Sequence, residues 1–267
     1  MDPEPTRRQP RGNAINVLAK AGALLDELHD GGELTAAELA ERIGEPRSSI
    51  YRLIDSLEDL GYVAPGLQRG HVRLGVKLFK LGVASLRTRG LRENALPQML
   101  ELRRLTGHTI FVCVRDEHEL LCVERIEGLT VVNNTLRPGT SGPLHVGATG
   151  KLLLAVEPEA FVDEVIGRGL TAFTPYTITD PGELRAHLDD IRRTGVSISD
   201  QDRLLGIAGI GAGVRDHTGR IVAALSMSGM RTDVLEEHQQ ENVALTVAAA
   251  NAISQTIGAE IAPSVGD

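Results

Sequence analysis

No run in this 267-residue chain is long and apolar enough to cross a bilayer, and its start, MDPEPTRRQPRGN, has no apolar segment of the signal-peptide kind. A cytoplasmic protein without membrane contact is therefore expected, with residues 1–12 as a disordered polar tail. Cysteine is nearly missing: Cys113 and Cys122 are too few for a zinc finger or a disulfide framework. Aromatic residues are only 3% of the chain, so few rings are available to stack on a ligand; Phe111 and Phe173 are candidates, and core packing is the better reading of each. His108, His145, Cys113 and Cys122 fall at no metal-ligand spacing on a helix or knuckle, and neither a metal site nor a cofactor is expected. Catalysis is also unexpected. Asp200, Asp202, His145 and Ser226 show no paired-base spacing, and no nucleophile sits on a strand-to-helix elbow. The GIGAG run resembles a dinucleotide loop, but a hairpin turn and a strand follow it where a phosphate-binding helix would be needed.

What the chain does have is 42% apolar content, enough for real cores, and an uneven charge. Its net −8 divides into −1 for residues 1–82, with 11 Lys+Arg against 12 Asp+Glu, and −7 for the remainder, with 17 against 24. Within residues 42–80 the balance reverses to seven basic residues against four acidic ones, a local field that favours a polyanion.

That basic segment overlaps Thr35–Gly61, TAAELAERIGEPRSSIYRLIDSLEDLG. Thr35 and Glu38 make a capping box, Leu39, Ala40 and Ile43 share one helical face, and Gly44 ends the helix. Pro46 suits the first position of a second helix, whose Ile50, Leu53, Ile54 and Leu57 point inward. Turned away from that face, Arg47, Ser48, Ser49, Tyr51 and Arg52 can donate hydrogen bonds to phosphates or base edges. A first helix, Ala14–His29, roofs the pair, and the β-prone runs after Gly61 form a hairpin with Arg69 at its tip, within reach of a phosphate or the minor groove. Three helices and such a hairpin make a winged helix-turn-helix over residues 13–75, whose partner is double-stranded DNA. An amphipathic helix at 76–90 follows as linker and dimerisation element, because such proteins commonly read two half-sites about a two-fold axis.

From residue 91 to 262 the pattern changes. A helix over 91–106 leads to a hairpin over 109–126, in which Cys113 and Cys122 are placed to face each other as thiols, and then to a third strand, Thr130–Leu136. A glycine-rich loop turns into an apolar helix at about Gly147, leaving amides that suit a carboxylate. Helices at 158–167 and 181–194, a strand at 196–200, a hairpin of strands 207–215 and 220–228, and a long helix from Asp233 complete the chain. The order lacks strict βαβ alternation, so an α+β domain with an antiparallel sheet flanked by helices is expected, of a kind that cups a small ligand.

In order and separation, RSSIYRLIDSLEDLGYV, PLHVGATGKLLLA and GIAGIGAGVRDHTGRIVAALSMSG resemble the IclR-type bacterial transcription regulators over about residues 13–260. The resemblance implies a GAF-like C-terminal domain and a homodimer, or a dimer of dimers, that binds a palindromic operator, most plainly as a repressor, under control of a small organic acid or aromatic metabolite. It also implies effector contacts from Leu144, Gly147, Ala148, Asp200, Gly209, Ser226 and Ser228. This sequence departs from the family pattern at Gly209, often cysteine, and Gly213, usually proline; both are expected to open space for a larger ligand. The competing reading is a metabolite-binding module whose winged domain mediates protein contacts.

Overall fold

The computed structural model describes residues 16–87, 90–129 and 136–261. The expected N-terminal tail lies outside that range, as does nearly all of the strand expected at Thr130–Leu136. Two compact units divide the chain, Met1–Ser85 and Leu86–Asp267.

In the first unit, α1 (Asn16–Gly31), α2 (Ala36–Ile43) and α3 (Arg47–Asp59) close on Leu24, Leu28, Leu39, Ile50, Leu53 and Leu57, all buried. The Thr35 hydroxyl accepts from the Glu38 amide while the Glu38 carboxylate accepts from the Thr35 amide at 2.8 Å, the reciprocal cap read from the sequence. Gly44 ends α2 in the left-handed conformation. The wing is β2 (Val63–Pro65) and β3 (His71–Leu74), joined to a short strand that the sequence reading missed, β1 (Leu34–Thr35), in the order β1-β3-β2. Thr35 therefore caps α2 and also pairs with His71, which fixes the wing to the start of the helix pair. Val76–Arg87 forms α4 and spans the division between the units.

The second unit is built on a six-stranded antiparallel sheet. Its strands are β4 (Thr109–Asp116), β5 (Glu119–Ile126), β6 (Ser141–Pro143), β7 (Val196–Asp200), β8 (Ile207–Arg215) and β9 (Ile221–Met230), in the order β6-β5-β4-β9-β8-β7. The described neighbour of β5 at that edge is β6, a segment read from the sequence as loop. One face of the sheet carries α5 (Leu91–Thr106) and α9 (Gln239–Ile261), with Met99, Ile110, Val112, Met227 and Ile253 between the layers. The other carries α6 (Gly147–Ala155), α7 (Glu159–Gly167) and α8 (Pro181–Thr194), over Phe111, Cys113, Leu152, Leu184 and Ala224. Strand alternation deals Ile110 and Val112 to one core and Phe111 and Cys113 to the other. Cys113 and Cys122 are directly opposed across β4 and β5, both buried and free. The long helix expected from Asp233 is divided: a π-helical turn, Thr232–Glu237, precedes α9.

Candidate functional site

On α3 the inward stripe is buried, and the opposite face presents Arg47, Ser48, Tyr51 and Arg52 to solvent; Ser49 sits at the margin, half-buried. Pro46 occupies the cap position, one residue earlier than the sequence placed it, and no side chain caps α3. Its first amides and the positive end of the helix dipole are thus open to an anionic oxygen. Arg52 Nε donates to the Ser48 carbonyl at 3.3 Å, which lays the guanidinium along this face. Arg69 is exposed at the wing tip, and Glu33 holds the tip by accepting from the Leu67 amide at 2.8 Å. The first unit therefore presents two separate basic elements, a helix start and a wing, on a rigid core. This is the geometry of a groove reader.

In the second unit a cavity of about 90 Å³ opens between the start of α6 and the strands β4, β8 and β9. Ala148, Gly209, Ser226 and Ser228 line it as expected, together with Phe111, Thr149, Ser199, Arg203 and Leu204. Close approach makes this possible: a Cβ built on Gly211 would lie 3.2 Å from the Ala148 carbonyl group, so glycine lets α6 sit down on β8. Gly147 starts α6 with φ +76°, a conformation few other residues adopt cheaply.

Four expectations need correction. Gly147 lines the cavity, but its N–H is already donated to Asp202, 3.2 Å from Oδ2, and is not free for a ligand. Asp200 does not line the cavity; at the end of β7 its carboxylate accepts from Arg231 Nε at 2.7 Å. Leu144 is also absent from the lining, being 1% exposed within the core against Phe111 and Leu152. Of the two glycines expected to open space, only Gly209 faces the cavity, whereas the room beside Gly213 is filled by Ile221, whose Cδ1 would lie 2.5 Å from a built Cβ.

Sequence reasoning missed the buried ion pair behind the cavity. Lys151 Nζ lies 2.7 Å from Asp202 Oδ2, each side chain only 3% exposed, and also donates to the Ile198 carbonyl at 3.0 Å. The Asp202 carboxylate is completed by the Ser199 hydroxyl and the Gly147 amide, and its backbone carbonyl accepts from Thr177 Oγ1 at 2.6 Å. Around this pair, burial pushes the His145 and His187 imidazoles below their ordinary titration range. His145 Nε2 is 3.0 Å from the Thr171 carbonyl, and Arg203 lies 4.0 Å over the Phe173 ring at the cavity rim. Lys151 follows directly on the Gly-rich run, but nothing at short range in the sequence pointed to a partner 51 positions away.

Comparison with known proteins places this geometry. A family model described as "Bacterial transcriptional regulator IclR C-terminal" matches residues 83–255, and one described as "IclR helix-turn-helix domain" matches residues 17–65. The HTH-type transcriptional regulator KdgR of Dickeya chrysanthemi is 31% identical over 252 residues, covering 94% of this chain and 82% of its own. The HTH-type transcriptional repressor AllR of Klebsiella pneumoniae is 31% identical over 228 residues, 84% of each. Among solved structures, an IclR homolog from Microbacterium hydrocarbonoxydans, complexed with 4-hydroxybenzoate, superposes with a TM-score of 0.82 at 29% identity, over 91% of this chain and 99% of that one.

Proposed function

This chain belongs to the IclR family of bacterial transcription regulators, and from that premise we propose that it is a ligand-responsive repressor that grips a palindromic operator as a dimer or a dimer of dimers. The observation that carries the DNA reading is the exposed Arg47, Ser48, Tyr51 and Arg52 face at the uncapped start of α3. Arg47 and Arg52 are assigned to base edges and nearby phosphates, with Ser48, Ser49 and Tyr51 beside them, and Arg69 to the backbone from the wing. The two-fold pairing is supported by α4, where Val76, Phe79 and Leu81 are at least half-exposed, with Phe79 at 69%.

The effector is assigned to the cavity in residues 86–267, against Ala148, Gly209, Ser226 and Ser228. Its volume is the ground on which we weigh the two ligand classes. A dry cavity of about 150 Å³ accepts benzene, and the 90 Å³ here is smaller. A carboxylic acid of a few carbons fits as the cavity stands, whereas an aromatic acid enters only when Leu204 or Arg203 swings out at the rim. The Ser226 and Ser228 hydroxyls suit a carboxylate, and Arg203 supplies charge. With the Gly147 amide engaged by Asp202, the side chains take a larger share of the ligand than the helix start does.

Fluorescence anisotropy on the DNA upstream of the protein's own gene, repeated with a panel of small carboxylic and aromatic acids, tests both halves. Arg47→Ala and Arg52→Ala should each weaken operator binding by about 1–3 kcal/mol. Unchanged affinity in both variants would overturn the placement of the DNA face.

A further inference from the structure

A second and larger cavity, of about 460 Å³, lies in the same unit and is lined by residues of that unit alone. It sits at the far end of the elements that form the first. On β9 its Val222 is four residues from Ser226, about 13–14 Å along the strand, and Leu153 and Val156 stand at the end of α6 opposite Gly147. The two cavities are therefore separate. Leu91 and Ile257 reach this one from the core on one face of the sheet and Leu153 from the core on the other, with Val114 and Val222 between them. The cleft is thus walled by aliphatic side chains from both layers.

Four charged residues complete the lining, and three of them are already engaged. Arg115 Nε is 2.6 Å from Glu157 Oε1, its Nη1 donates to the Glu117 carbonyl at 2.8 Å, and its guanidinium lies 5.0 Å over the Phe161 ring. Asp216 Oδ1 accepts from the Thr218 amide and hydroxyl and from the Arg220 amide, which fixes the hairpin turn between β8 and β9. Among the described residues the exposed Arg220 guanidinium makes no hydrogen bond or ion pair. One uncommitted cation borders an aliphatic cleft.

We propose that this cavity is a second ligand site, which takes a monocarboxylic acid with an extended apolar body. Its volume falls within the roughly 300–1,000 Å³ of small-molecule pockets and is about three times the roughly 150 Å³ that holds benzene. The carboxylate pairs with Arg220, and the apolar body lies against Val114, Leu153, Val222 and Ile257, where each methylene leaves water. A short acid fills too little of the cleft to bind well. An acid with a second negative charge is disfavoured by Asp216 and Glu157 in the same lining.

The test is calorimetric titration of the full chain with butyrate, hexanoate and octanoate. One octanoate per chain is expected, with affinity rising about fourfold for each added methylene. Arg220→Gln should weaken octanoate about fivefold, the worth of an exposed ion pair, and leave the affinity for the uncharged octanol unchanged. Val156→Trp, at a position 43% exposed, sets an indole in the cleft and should remove the gain with chain length. Both substitutions are at exposed positions, and thermal unfolding without ligand checks their fold. Ser226→Ala should leave the octanoate isotherm as it is, because that hydroxyl belongs to the first cavity. The assignment is overturned by the absence of saturable octanoate binding, by equal affinities for butyrate and octanoate, by wild-type octanoate affinity in Arg220→Gln or Val156→Trp, or by weakening in Ser226→Ala.

Discussion

Replacing Asp202 by asparagine keeps the shape of the side chain and an acceptor for the Gly147 amide, and removes the charge that compensates Lys151. With its side chain 3% exposed, Lys151 would retain only the Ile198 carbonyl at 3.0 Å. Breaking a buried pair from one side costs about 3–5 kcal/mol, because an uncompensated charge stays out of water. Lys151→Met should cost less, since the stranded carboxylate keeps the Ser199 hydroxyl and the Gly147 amide as donors. The double variant, Asp202→Asn with Lys151→Met, holds no stranded charge and should recover much of the loss, giving a coupling of about 2 kcal/mol or more. Urea unfolding followed by circular dichroism reads this, with the two units fitted as separate transitions. With m near 2 kcal/mol/M, a loss of 3–5 kcal/mol moves the midpoint by about 1.5–2.5 M. A shift in Asp202→Asn below about 0.5 M, or single effects that simply add in the double variant, would refute the view that this pair holds the start of α6 in place.

Ser226→Ala and Ser228→Ala should leave operator affinity unchanged while raising the effector concentration that halves it; loss of DNA binding with no change in effector response would make both serines structural. Arg69→Ala should weaken binding to all DNA sequences alike and reduce the slope of log K against log salt by about one, and an effect confined to one operator would contradict a backbone contact from the wing. For pH, burial holds the His145 and His187 rings below the ordinary value of 6.5, so the unfolded chain takes up protons first as pH falls. Their contribution is complete above that value and is lost as pH drops from it toward the folded titration points; His145→Gln and His187→Gln should each flatten the fall in stability across that window, and a profile identical to wild type in both would refute the assignment.

The first unit was legible because its determinants are local. The capping box spans three positions, Gly44 stops α2 where the apolar stripe ends, and Ile50, Leu53, Ile54 and Leu57 declare the inward face of α3 by spacing alone. The exposed face then followed by exclusion. In the second unit much of the element order was also legible, down to the opposition of Cys113 and Cys122 across β4 and β5, although β6 was read as loop. What escaped were features made by residues far apart in the chain. Strand β1 has two residues and exists only because β3 returns to pair with it.

The resemblance put Asp200 at the effector, and nothing in the sequence assigned Asp202 a partner there. Alternation along β7 and the turn beyond it sends Asp200 outward to Arg231 and Asp202 inward to Lys151. The difference changes the chemistry of the cavity. An anion seat that looks vacant in the Gly-rich run is taken by a carboxylate of the protein itself, so an acidic effector either binds beside Gly147 through the serines and Arg203 or competes with Asp202 for that amide. In the second case ligand binding loosens the Lys151–Asp202 pair and, through Ser199 and Ile198, the strand β7. Asp202→Asn distinguishes the two modes: a neutral amide is displaced more easily, so competition predicts a lower effector concentration for half response, whereas binding beside Gly147 predicts no change.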